Sequence, residues 1–164
     1  MSKVFYCPLP ATSALHQMHA PDDFLDCYRV ASNMAPRPAA EIITNFPDWV
    51  RPLLALRGLI TSPFGLKQSD NNDVDSVGPF PVVSDTDHEL IAGFDDKHLN
   101  FRVSVLQQDG HVHLATWVHV NNLGGRIYLT SIMPFHIAIA RNALSRVARH
   151  TISGQSQRDT VEAL

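Results

Sequence analysis

Apolar and polar residues alternate along "HLNFRVSVLQQ", His98 to Gln108. In an extended strand Leu99, Phe101, Val103 and Val105 then share one side, and His98, Asn100, Arg102 and Ser104 the other. The dipeptide Asp109-Gly110 signals a two-residue hairpin turn into "HVHLATWVHV". That turn sets a register in which Gln108 faces His111, Arg102 faces Trp117, Phe101 faces Val118 and Asn100 faces His119. Val112, Leu114, Thr116, Val118 and Val120 fall on the same side as Phe101, which makes that side the inner wall. "FPVVS" and "HELIAGF" read as two further strands just upstream, and "DDFLDCYRVAS" as an earlier one, with Phe24, Asp26, Tyr28 and Val30 alternating against Leu25, Cys27 and Arg29. The pair Gly124-Gly125 reads as a turn into a last strand, "RIYLTSI", which would set His119 opposite Tyr128 and Trp117 opposite Thr130.

Helical spacing replaces alternation in three places. "AAEIITNF" and "PDWVRPLLALRGLI" carry Ile42, Ile43, Phe46, Trp49, Val50, Leu53, Leu54, Leu56 and Leu59 at a period near that of a helix, and Pro47 suits the first turn of the second segment. "MPFHIAIARNALSRVARH" places Ile137, Ile139, Ala140, Leu144 and Val147 on one broad stripe and predicts a long C-terminal helix. "TSPFGLKQSDNNDVDSVGP" is a long polar loop. The proline-broken start, residues 1–20, reads as a loosely ordered lead-in; residues 21–150 form a single domain, and residues 151–164 a polar, frayed C-terminal tail. The order of elements is that of an α+β protein: a curved antiparallel sheet wrapped around a long C-terminal helix, with two short helices after the first strand.

Composition narrows the function classes. A chain of 164 residues and 18.2 kDa, 45% hydrophobic and 18% charged, is long and apolar enough to fold alone around one core. The net charge of -3 offers no basic surface for nucleic acid or anionic lipid. No apolar run approaches the ~20 residues that span a bilayer. Cys7 and Cys27 form neither a CxxC motif nor a disulfide framework, so they read as reduced thiols of a soluble, cytoplasmic protein unless the fold brings them together.

The densest candidate chemistry is "GFDDKHLNFRVSV", Gly93 to Val105. Asp95 and Asp96 stand where one strand turns into the next, and their carboxylates suit local backbone amides or an ion pair with Lys97 or Arg102 more readily than a functional pair. The nine histidines include no HExxH motif, and His111 and His113 lack an adjacent third ligand, so neither a metal nor a cofactor is expected. No nucleophile motif surrounds Cys27 or the serines, and "NNLGGRIY" lacks the lysine and the strand-to-helix context of a phosphate loop. His136, just after Pro134, reads first as a capping or packing residue and second as a base. Outward-facing Trp117, His119 and Tyr128 suggest a homodimer surface.

The run "FPVVSDTDHELIAGFDDKHLNFRVSV" with "TWVHVNNLGGRIYLTSIMPFHIAIAR" resembles the uncharacterised domain-of-unknown-function family 2867. The pattern of that family falls on Gly93, Asp95, Asp96, His98, Leu99, Phe101, Arg102, Gly125, Arg126, Tyr128, Pro134, Phe135 and His136. Asn100 departs from it, standing where an aspartate is expected. The resemblance implies a helix-grip fold, similar to the Bet v 1 and START-like (SRPBCC) lipid-transfer proteins, with a cavity between sheet and helix. Three functions follow as expectations. The first is binding of a small hydrophobic or amphipathic molecule in a cavity lined by Trp49, Leu53, Phe94, Phe101, Val103, Leu114, Thr116, Val118, Leu129, Phe135 and Ile139. The second is an enzyme on a hydrophobic substrate, with Asp96, His98, Arg126 or His136 at the cavity mouth. The third is an interaction subunit.

Overall fold

The fold is seen in a computed structural model that describes residues 3–50 and 74–162, with side chains through residue 153. Seven strands form one curved antiparallel sheet: β1 (Phe5–Tyr6), β2 (Phe24–Ala31), β3 (Ser76–Val77), β4 (Phe80–Asp85), β5 (Glu89–Asp95), β6 (Leu99–Gln108) and β7 (His111–Val120). Their order across the sheet is β1-β2-β7-β6-β5-β4-β3. Helix α1 (Pro36–Thr44) follows β2, and the long helix α2 (Leu123–Glu162) closes the chain. This is the helix-grip arrangement.

The β6–β7 hairpin keeps the register that its turn dictates, with Arg102 opposite Trp117, Phe101 opposite Val118 and Asn100 opposite His119. Asp109 and Gly110 both have positive φ, 51° and 73°, the pairing a type I′ turn requires to match strand twist. The inner face of the sheet buries Tyr28, Val30, Leu90, Ala92, Val103, Val105, Val112 and Leu114 against Ala39, Ala40 and Ile43 of α1 and Ala140, Ala143, Leu144, Val147 and Ala148 of α2. The alanines let the C-terminal half of α2 press close to the strands. Arg146 of α2 donates to the carbonyls of Ile43 and Asn45, neutralising the open end of α1.

Four features depart from the reading of the sequence. First, "RIYLTSI" is helix, because Gly124 and Gly125 belong to the first turn of α2 rather than to a hairpin. Asn122 Oδ1 accepts from Gly125 N at 3.1 Å, and a side chain at Gly125 would meet His98 O at 2.1 Å, so the glycine permits a close backbone approach. Second, the polar tail continues α2 as far as Glu162. Third, residues 3–20 are not loose. β1 pairs with β2, and Cys7 and Leu15 are buried against Cys27, Ile91, Ala115 and Trp117 on the outer face of the sheet. Fourth, the outer face is therefore a second core layer. Trp117 is only 7% exposed and Tyr128 lies on α2 across the sheet, so Trp117, His119 and Tyr128 share no common surface. Alternation along a strand marks two faces but is blind to a distant segment that covers the polar one. Of the second short helix only a 3-10 turn, Asp48–Val50, lies among the described residues; the rest, with Leu53 and most of the long polar loop, lies outside them.

Candidate functional site

The two halves of α2 do different work. From Ala140 onward its inward residues are packed into the core, whereas Tyr128, Leu129, Ile132, Met133, His136 and Ile139 stand off the sheet and line a cavity of about 220 Å3. The cavity opens to solvent on one side and is far larger than the volume that one water fills. Its other walls are Phe24, Phe46, Val50, Phe80, Phe94, Leu99, Phe101, Thr116 and Val118.

Four phenylalanines form one wall. Phe94 and Phe101 are stacked with centroids 5.4 Å apart, Phe80 lies 5.3 Å from Phe101, and Phe46 meets Phe80 edge-on at 6.2 Å. Phe94 and Phe101 are opposite partners in the β5–β6 register, so antiparallel pairing itself sets their stack.

Polar groups enter the lining at two places. At the rim, Asp96 and His98 in the β5–β6 turn meet Gly124 at the start of α2. Two asparagines clamp this corner. Asn121 Nδ2 donates to Asp96 O at 2.8 Å, Asn122 Nδ2 donates to Lys97 O at 3.0 Å, and the Asn122 Oδ1 that caps Gly125 also meets His98 Nδ1 at 3.0 Å. The Asp96 carboxylate accepts from Lys97 N, and Asp95 pairs with Arg102 at 2.9 Å, which is the turn chemistry that the sequence favours for both.

Deeper in the cavity, His136 Nε2 stands 2.9 Å from Asp26 Oδ2, and their side chains are only 18% and 9% exposed. Phe24 packs edge-on against the His136 ring at 6.0 Å. Asp26 Oδ1 is buried without a hydrogen-bond partner among the described residues. Burial pushes the Tyr28 phenol up, and the neighbouring Asp26 charge pushes it further. Thr116 is the register partner of Asp26 and lines the cavity beside the pair.

Six of the residues expected around a cavity line it: Phe94, Phe101, Thr116, Val118, Leu129 and Ile139. Val103 and Leu114 lie two positions further along the same strand faces, under the tight half of α2, and are buried in the core. Trp49 and Phe135 are 48% and 47% exposed, and each has the neighbour that turns inward, Val50 and His136. Asp96, His98 and His136 lie on the cavity wall, whereas Arg126 is exposed on the first turn of α2. Nothing in the sequence, where it is one acidic residue in an alternating strand, sets Asp26 apart. Its only signal was its position on the same face as Phe24, Tyr28 and Val30. Among the described residues no cluster of three His, Cys, Asp or Glu side chains is arranged to hold a metal ion.

Residues 20–143 match the family described as "Protein of unknown function (DUF2867)". The chain belongs to this family. The matched region runs from just before β2 into the middle of α2, so it takes in both the Asn-clamped corner and the Asp26–His136 pair. No curated protein and no solved structure matches the chain.

Proposed function

We propose that this DUF2867 protein binds a small apolar or amphipathic molecule between the inner face of its sheet and the N-terminal half of α2. The cavity of about 220 Å3, walled by Phe80, Phe94 and Phe101 and by aliphatic residues of α2, carries this reading. Mostly apolar walls with a few placed polar groups are what pockets for such molecules use, and burial of an apolar ligand contributes about 25 cal/mol per Å2 removed from water. The helix-grip arrangement, which resembles that of START-like lipid-transfer proteins, supports it. No helix among the described residues is long and apolar enough to cross a membrane, and the two free thiols suit a reducing compartment, so we place the binding in the cytoplasm.

Native mass spectrometry of freshly purified protein, followed by a panel of apolar ligands, tests the proposal. The expected result is a retained or added small molecule that is lost on Leu129→Trp, a substitution that fills the cavity from its helix wall. Protein free of ligand that also binds no member of the panel would sink it.

A further inference from the structure

The Asp26–His136 pair is a costly arrangement that packing alone does not explain. A carboxylate in a sheet interior loses its hydration, and here one hydrogen bond to His136 meets only one of its oxygens while Oδ1 stays without a partner among the described residues. What the carboxylate does achieve is to fix the imidazole. A carboxylate oxygen only accepts, so His136 carries a proton on Nε2, and in the neutral ring this leaves the lone pair on Nδ1. Nδ1 has no hydrogen-bond partner among the described residues, and its ring forms part of the cavity wall. Phe24, edge-on to the ring, and Asp26 together hold that orientation. The Thr116 hydroxyl, opposite Asp26 in the β2–β7 register, stands in the same part of the wall.

We infer that His136 Nδ1, held as an acceptor by Asp26, recognises a hydroxyl group on an aromatic or otherwise apolar ligand, the ligand's apolar body lying against Phe94 and Phe101. The cavity thus selects for hydroxylated molecules such as phenols over their ethers and parent hydrocarbons. Asp26 is a positioning residue: it touches His136 and acts on the ligand only through the tautomer it enforces. Thr116 offers the ligand oxygen a second partner, since a hydroxyl can donate as well as accept. This inference rests on the cavity being a ligand site.

Equilibrium dialysis of the full chain against naphthol, methoxynaphthalene and naphthalene separates the two ideas. The wild-type protein should bind naphthol about tenfold more tightly than methoxynaphthalene, the advantage of one well-made hydrogen bond. In the double substitution Asp26→Leu with His136→Phe, which removes both polar partners together, the three probes should bind alike. Asp26→Asn, nearly isosteric, is the second variant. Its amide no longer forces the proton onto Nε2, so the preference for naphthol over methoxynaphthalene should fall severalfold. Equal binding of all three probes by the wild-type protein, or full naphthol preference in either variant, overturns the inference and leaves the cavity reading standing. Binding of none of the three overturns the cavity reading itself.

Discussion

Ser13 Oγ donates to Glu89 Oε1 at 2.6 Å, joining the N-terminal segment to the start of β5 across 76 residues of sequence. Ser104 Oγ donates to the same oxygen and Ala14 N to the other, so a buried carboxylate on β5 gathers three donors, two from the N-terminal segment and one from β6. This knot pins residues 3–20 over the outer face of the sheet and makes that segment part of the core. Glu89→Ala should strand all three donors and cost about 3 kcal/mol, within the usual range for lost charged hydrogen bonds and unsatisfied buried groups. Urea unfolding measures it, and a loss under about 1 kcal/mol would show that the segment rests on apolar contact alone.

Cys7 Sγ lies 3.5 Å from Cys27 Sγ beneath the same segment, both thiols being buried. Burial pushes both thiols up from their ordinary value, and the neighbouring sulfur pushes Cys27 further, so neither is a ready thiolate. Native protein at pH 8 should therefore resist iodoacetamide at both positions, with both alkylated after unfolding. A diamide treatment should form one intramolecular disulfide, the two thiols losing two protons and two electrons to the diazene. Rapid native labelling of Cys27 would contradict this burial.

Asp23 ties the end of the N-terminal segment to the outer face of β7. Its carboxylate accepts from Ala20 N at 2.8 Å and Trp117 Nε1 at 2.9 Å and meets His119 Nδ1 at 2.6 Å, with a side chain only 3% exposed. Burial works to raise its pKa, but the Ala20, His119 and Trp117 hydrogen bonds outweigh it and hold the carboxyl below its ordinary value. A carboxyl depressed in the folded state stabilises the fold at every pH above its unfolded value of about 3.9, and that contribution disappears as pH falls through the lower folded value. Melting temperature should accordingly fall more steeply below pH ~4 in the wild-type protein than in Asp23→Asn. Superimposable acid limbs would remove Asp23 from the account.

Adjacent glycines at the start of α2 should respond differently to the same change. A Cβ at Gly125 meets His98 O at 2.1 Å, a backbone atom held by the asparagine clamp, whereas a Cβ at Gly124 first meets the Asn122 side chain at 3.2 Å. Gly125→Ala should destabilise by about 2 kcal/mol through overpacking. Gly124→Ala should be close to neutral, because the alanine gain in helix propensity offsets a contact that a side chain can relieve. Chemical denaturation of the two variants side by side decides it, and equal losses would count against the close approach at Gly125.

How legible was all this in the sequence? The β6–β7 hairpin was fully legible, down to Phe101 against Val118, because a two-residue turn and a period of two leave one register that keeps the apolar set together. "RIYLTSI", with Tyr128 and Leu129, reads locally as strand because β-branched and aromatic residues favour strands. The Asn122 cap and the sheet surface beneath decided for helix. Likewise Val103 and Phe101 are indistinguishable by pattern, yet one is core and the other cavity wall, according to where the bulky half of α2 stands away from the sheet.

By itself, then, the sequence determined the class of the fold, the inner face of the sheet, the hairpin register and the long final helix, all set by local periodicity and turn chemistry. Only the tertiary structure decided which inner residues touch empty space, that residues 3–20 form a second core layer, and that Asp26 meets His136. Those two residues are 110 positions apart. Contacts over such separations depend on how helix and sheet pack, a relation no local pattern along the chain encodes.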